Sequence, residues 1–363
     1  MKKVIYVLLI SMLLLSACSV TPEAPAAPAA AAQPEITVVD ALGRTVVFSQ
    51  PPAGIVIIGR GMTLTLDAAY MFPQASARVV AMGNSNQGNG NFISLIDPDF
   101  GQKMILETDA GAEQIAAADP DLVILKSYLA EAVGKSLEAL HIPVVYVDFE
   151  TPEQYTRDLD ILGKVFQDEA RAQELADYYS AKLAAIQSAL DEINARPKVL
   201  MLYHSQKDGT VAFNVPPETW IQTRMVQLAG GVPVWVSANL TNGWNVVSLE
   251  QIAAWDADQI YIISYQDNSA EIAAALKSDP QWQALRAVKE GYLYGFPADF
   301  YSWDQSDSRW ILGLSWLAAH LHPESFPQYD VLAEVQQFYL QMYGLNANFV
   351  AANIQPAFRG DLP

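Results

Sequence analysis

Short continuous apolar runs alternate with helix-patterned segments on both sides of one long amphipathic stretch, an arrangement that leaves few folds open. The runs are Ile55 to Ile58, Val79 to Met82, Leu122 to Leu125 and Val144 to Val147, then Val199 to Tyr203, Val232 to Val236, Gln259 to Ile263 and Tyr292 to Tyr294. Apolar strands of this length separated by helices imply mostly parallel sheets covered on both faces. Between the two sets, Leu175, Tyr179, Leu183, Ile186, Leu190 and Ile193 recur at helical spacing, ahead of Pro197. The expected fold is therefore α/β, with two Rossmann-like lobes joined by one long helix. About 325 residues lie beyond Pro34, more than one core usually organises.

The two halves share a short repeat. Glu113-Gln114-Ile115-Ala116-Ala117 leads to Asp119-Pro120-Asp121-Leu122-Val123-Ile124, and Glu250-Gln251-Ile252-Ala253-Ala254 leads to Asp256-Ala257-Asp258-Gln259-Ile260-Tyr261. Each copy reads as a short helix delivering the chain into a buried strand. Loops that follow the strands of two such sheets converge on one crevice, where ligands of open α/β sheets bind. A single helical crossover has few places to bend, so closure around a ligand is expected to be small.

The beginning of the chain gives an address. Lys2 and Lys3 precede an apolar run from Val4 to Leu15, and Leu15-Ser16-Ala17 stands before Cys18, the only cysteine. This pattern predicts a signal peptide over 1–17, with the new terminus lipidated on Cys18. Residues 18–34 are nearly all Pro and Ala after Thr21, too poor in large apolar side chains to fold, and read as a tether. Behind it come a lobe over 35–166, the linking helix within 167–196 and a second lobe over 197–363. The protein is thus expected outside the cytoplasm, anchored to the cell membrane by lipid. A formal charge of -19 makes nucleic acid an improbable partner, although net charge says little about one cleft.

In order and spacing, Ile36-Thr37-Val38-Val39-Asp40-Ala41-Leu42-Gly43-Arg44-Thr45-Val46, Asp119-Pro120-Asp121-Leu122-Val123-Ile124, Leu140-His141-Ile142-Pro143-Val144 and the stretch from Asp304 to Trp316 resemble one family. It comprises the solute-binding lipoproteins of ABC importers for iron siderophores, haem, cobalamin and related metal complexes. The resemblance implies a permease and its ATPase as partners, and docking through a glutamate on each lobe, here Glu113 and Glu250. Ser302-Trp303-Asp304, Gly313-Leu314-Ser315-Trp316-Leu317 and His322-Pro323 are similar to a branch associated variously with iron complexes, corrinoids and molybdate or tungstate. A ferric siderophore or corrinoid is the expected cargo, with molybdate or tungstate the alternative.

Position after strands nominates the ligand-binding side chains. In the first lobe they are Arg60, Met62, Thr63, Asn84, Lys126 and Tyr128; in the second, Tyr203, Trp220, Trp244, Tyr265, Tyr301, Trp303, Asp304 and Arg309. Aromatic rings suit a large planar solute, and a guanidinium suits a carboxylate or metal oxyanion. An extracytoplasmic hydrolase is the competing class, but the chain has four histidines, no Gly-x-Ser-x-Gly elbow and a cysteine committed to lipid. So few histidines also argue against capture of a bare metal cation. No cofactor is called for, no protein-held metal is nominated, and a monomer is expected.

Overall fold

The computed structural model describes residues 35–84, 90–193, 195–207, 209–239 and 241–362. The expected signal peptide, Cys18, the expected tether and most of the Asn84 to Asn91 loop lie outside the described residues. Residues 35–363 form one compact unit.

The first lobe opens on an antiparallel pair, β1 (Ile36–Val39) and β2 (Thr45–Phe48). Its main sheet is parallel and contains β3 (Ile55–Ile57), β4 (Val79–Gly83), β5 (Met104–Leu106), β6 (Leu122–Lys126) and β7 (Val144–Val147), in the order β5-β4-β3-β6-β7. Ile55, Ile57, Leu122, Ile124, Val145 and Val147 face one hydrophobic cluster, while Val56, Val123, Leu125, Val144 and Tyr146 face another. Alternation along a pleated strand produces this division, and burial of both faces explains why the sequence shows continuous apolar runs.

The second lobe holds β8 (Lys198–Lys207), β9 (Thr210–Val215), β10 (Val232–Pro233), β11 (Asn245–Val247), β12 (Gln259–Ile263) and β13 (Leu293–Gly295), ordered β11-β9-β8-β12-β13 with β10 also on β8. Pairs among β8, β10, β12 and β13 are parallel, but β9 is antiparallel to both β8 and β11. The apolar run at Val199 predicts only half of β8, because its second half alternates polar residues and forms the β8–β9 arm. The run from Val232 to Val236 yields only a two-residue strand, since Trp235 turns inward to donate to the Pro216 carbonyl at 2.9 Å.

The helix Pro152–Phe166 and the linking helix Glu169–Leu190 are separated by Gln167 in the left-handed region, with φ 57°. Asp168 starts the second by accepting from the Arg171 amide at 3.1 Å. Gly163 lets the two helices touch: a Cβ there would lie 2.6 Å from that of Ala172. The linking helix stops at Leu190, so Ile193 is outside it despite its helical spacing. Pro197 stands farther on and only restricts its predecessor. Midway, Tyr179 stacks on Trp310 at 5.5 Å, packs on Tyr155 at 4.8 Å and donates to the Ser308 carbonyl at 2.7 Å.

The sequence repeat occupies matching places. The helices Ala112–Ala116 and Leu249–Trp255 carry Glu113 and Glu250 in their first turns and lead to β6 and β12, each the neighbour of its lobe's central strand. Asp119 and Asp256 both take left-handed φ, 48° and 45°. Asp121 Oδ2 accepts from the amides of Ala53 and Gly54 ahead of β3, and Asp258 Oδ2 from the Lys198 amide that begins β8. These paired carboxylates are the structural reason for two of the repeated positions.

Between the lobes lies a buried ionic cluster. Arg309 donates through Nη1 to Asp67 at 2.5 Å and to Asp307 at 3.1 Å, and its Nε lies 2.7 Å from Asp299 Oδ1. Arg309 and its three carboxylate partners are fully buried. Asp67 belongs to the first lobe's helix Met62–Ala69, whereas Asp299, Asp307 and Arg309 follow β13. The first lobe also supplies Phe92, whose ring lies 4.7 Å from the guanidinium. One cation cannot balance three ionised carboxylates away from water. Burial pushes Asp307 up to about 8 and Asp67 up to about 6, against the lowering effect of Arg309.

Asp307 therefore holds a proton at neutral pH that the unfolded chain would release, and its contribution to stability declines as pH rises toward 8. Asp307→Asn, uncharged throughout, should gain ~2 °C or more in melting temperature relative to the native chain between about pH 6 and about pH 9. A constant difference would contradict the assignment. Arg309→Met strands buried carboxylates and should cost about 3–5 kcal/mol in urea unfolding.

Candidate functional site

The carboxyl ends of the strands face a cleft between the lobes of about 500 Å³, within the range of small-molecule sites. From the first lobe come Leu64, Tyr128 and Glu150; from the second, Trp220, Ile221, Gln222, Asn242, Trp244, Tyr265, Gln305 and Ser306. Each is placed by chain topology: Tyr128 follows β6, Glu150 follows β7, Tyr265 follows β12, and Trp220 caps the helix Ile221–Leu228.

Four expected residues meet here. Trp220 and Trp244 pack edge to face at 5.5 Å, and Trp244 contacts Tyr265 at 6.3 Å. Tyr203 backs them, at 5.0 Å from Trp244 and 4.7 Å from Tyr265. Tyr128 is 59% exposed and donates to the Arg60 carbonyl at 2.6 Å. Burial and the neighbouring Glu150 carboxylate raise its phenol. The wall can receive a ring system while offering polar edges.

Lys126 and Asp304 lie one layer behind. Lys126, 2% exposed, ion-pairs with Glu150, whose other oxygen accepts from Ser306 Oγ at 3.1 Å. Glu150 thus joins both lobes across the cleft. Asp304 is fully buried, and its Oδ2 accepts from Gln222 Nε2 at 3.0 Å and from the Tyr265 hydroxyl at 2.9 Å. Burial pushes Asp304 up to about 6, opposed by the hydrogen bonds from Gln222 and Tyr265.

The remaining nominated residues are not on the cleft wall. Arg309 is enclosed by the aspartates and by Tyr301, whose ring lies 5.2 Å from the guanidinium, and it has no route to a ligand. Trp303 is fully buried and donates to Asp299 at 3.1 Å. Tyr301, Met62 and Thr63 are also buried, Met62 against Gly83. Arg60 and Asn84 are exposed, and Asn84 is tied to Leu106 and Thr108 through its backbone. Position after a strand nominates a residue, but side chains directed back into the protein satisfy the same rule.

Glu150, Gln222, Gln305 and Ser306 are absent from the sequence-based set. Glu150 carries the very signal used for Lys126, position just after a strand, while Gln222, Gln305 and Ser306 stand within two residues of nominated ones. Their short polar side chains give no compositional signal.

The periplasmic binding protein family model matches residues 56–300. The chain belongs to that family. It is a periplasmic solute-binding protein of the ABC-transporter type, in a family of binding proteins, not enzymes, whose members deliver ligands to a permease. Among relatives, the molybdate-binding protein MolA of Haemophilus influenzae is 22% identical over 303 residues, covering 77% of this chain and 83% of that one. The iron-uptake system-binding protein of Bacillus subtilis is 23% identical over 302 residues, covering 81% and 90%. A periplasmic solute-binding protein from Veillonella parvula shares the fold, with TM-score 0.69, 22% identity and coverage of 86% and 94%. Among the described residues, no helix is long and apolar enough to cross a membrane.

Releasing Lys126 would convert this wall to one that attracts anions. Glu150→Gln should raise affinity for a small oxyanion such as molybdate by roughly tenfold, measured by titration calorimetry. Unchanged affinity would mean that Lys126 is held away from the cleft by something other than Glu150.

Proposed function

We propose that this protein captures a metal complex of ferric-siderophore or corrinoid type between its lobes and hands it to an ABC permease without chemical change. The observation that carries this reading is the cleft wall of Trp220, Trp244, Tyr265 and Tyr128, in a space of about 500 Å³ whose single charged lining side chain among the described residues is Glu150. A large organic chelate fills such a space and gains from ring contact. The similarity to an iron-uptake system-binding protein agrees with it.

A second reading, capture of molybdate or tungstate, has in its favour the similarity to a molybdate-binding protein. A free cation would favour it, whereas Lys126 is paired with Glu150 and Arg309 is sealed behind the wall. The first reading needs no such rearrangement. Native mass spectrometry of the protein purified from its own cells separates them: an adduct containing an organic chelator supports the metal complex, and an adduct of oxyanion mass alone overturns it.

Anchoring through lipid on Cys18, with residues 18–34 as tether, belongs to the same proposal and would hold the carrier near its permease. Glu113 and Glu250 are the proposed docking groups. Both are exposed on first turns that occupy matching places in the two lobes. Ser248 accepts from the Gln251 amide at 3.3 Å, and hydrogen bonds from the helix start and Ser248 lower the Glu250 carboxyl, so it is presented charged. Glu113→Ala with Glu250→Ala should reduce uptake by cells at least about tenfold while ligand affinity stays within about twofold, by analogy with other charged contacts at interfaces. Loss of affinity in the purified double variant would refute the docking role.

A further inference from the structure

Two polar atoms in the side chains of the cleft wall have no hydrogen-bond partner among the described residues. Gln222 is 5% exposed and Gln305 7%, yet Gln222 Oε1 and Gln305 Nε2 make no hydrogen bond. A buried amide atom left unpaired keeps the full penalty of its lost hydration, a deficit that a ligand supplying the partner removes. Which atom Gln222 offers is decided behind the wall. A carboxylate only accepts, so Asp304 obliges the Gln222 amide to turn its NH₂ inward, at 3.0 Å, and leaves the carbonyl oxygen free. The Tyr265 hydroxyl donates to the same Asp304 oxygen, so one carboxylate orients both wall residues.

We infer that Gln222 and Gln305 determine specificity by reading an uncharged carboxamide on the organic part of the ligand, away from the metal. Its N–H donates to Gln222 Oε1, and its carbonyl accepts from Gln305 Nε2. Asp304 is the positioning residue that fixes the acceptor. This inference rests on the cleft being the ligand site, and it narrows the cargo to complexes whose contacting edge is neutral. An anionic edge would meet a bare acceptor in Gln222 and a carboxylate in Glu150, while Lys126 is already paired.

The test is titration calorimetry of the whole protein with cyanocobalamin, a ferric trihydroxamate whose peptide backbone carries free amides, a ferric tricatecholate and molybdate. One of the two amide-bearing probes should bind, and the two anionic probes at least tenfold more weakly. Gln222→Leu and Gln305→Leu should each weaken the bound probe about tenfold, and Trp220→Ala should do so through the ring wall. Among the described residues, Tyr203 and Tyr265 are the ionisable groups that feel Asp304, while Glu150, paired with Lys126, lines the same cleft. Affinity should fall as pH drops below about 6, where Asp304 takes up a proton and can itself donate. Asp304→Asn should bind more weakly and lose that part of the pH response.

Tighter binding of the tricatecholate or molybdate overturns the inference. So do glutamine variants within twofold of the native affinity when Trp220→Ala is impaired, a result that leaves the cleft as the ligand site. If Trp220→Ala and both glutamine variants all match the native protein, the cleft assignment itself fails, and no binding of any probe overturns both.

Discussion

Arg309, enclosed by Asp67, Asp299 and Asp307, is the constraint on which the rest of the molecule depends. A guanidinium can be buried only where carboxylates and hydrogen bonds replace its water, and here the replacement comes from both lobes. Tyr339 supports the arrangement by bonding Arg309 Nε at 3.0 Å and Asp299 Oδ2 at 2.6 Å. The loop that supplies Asp299 and Asp307 also carries Asp304, Gln305 and Ser306 to the cleft. Anchoring that loop at Asp299 and Asp307 fixes the height of the stretch between them against the cleft.

Charge is divided accordingly. Cations are drawn into pairs behind the surface, Arg309 with its aspartates and Lys126 with Glu150, and apart from Glu150 the described lining of the cleft is aromatic, aliphatic or neutral and polar. Discrimination by such a surface depends on hydrogen bonds and ring contact more than on long-range attraction. The acidity of the whole chain and the character of its cleft are therefore separate properties.

The α/β fold was readable because its central strands are buried on both faces and leave continuous apolar runs: β7 and β12 coincide with the runs at Val144 and Gln259. Strands without that property escaped. β9 and β11 form an arm whose residues alternate or are polar, and β5 has only Leu106 buried. Cleft residues were legible as a zone, not as directions. Tyr265 and Trp244 face the solute space, but Trp303 and Arg309 point inward, because aromatic and cationic side chains close packing gaps as readily as they bind ligands. Distant partners such as Asp67 leave no local trace in the sequence beside Arg309.

The carboxylate staples at Asp121 and Asp258 bear on how the chain assembles. Each joins strands within one lobe, across separations of 67 and 60 residues, whereas the contact between Arg309 and Asp67 spans 242. Short loops close before long ones. Each lobe can therefore complete its sheet first, and the ionic cluster engages as a late step, once two formed surfaces meet. Contacts made after the rate-limiting barrier govern how fast a protein comes apart more than how fast it forms. In this fold Arg309 thus acts mainly as a brake on opening, and the persistence of the folded protein is a matter of unfolding rate as much as of equilibrium.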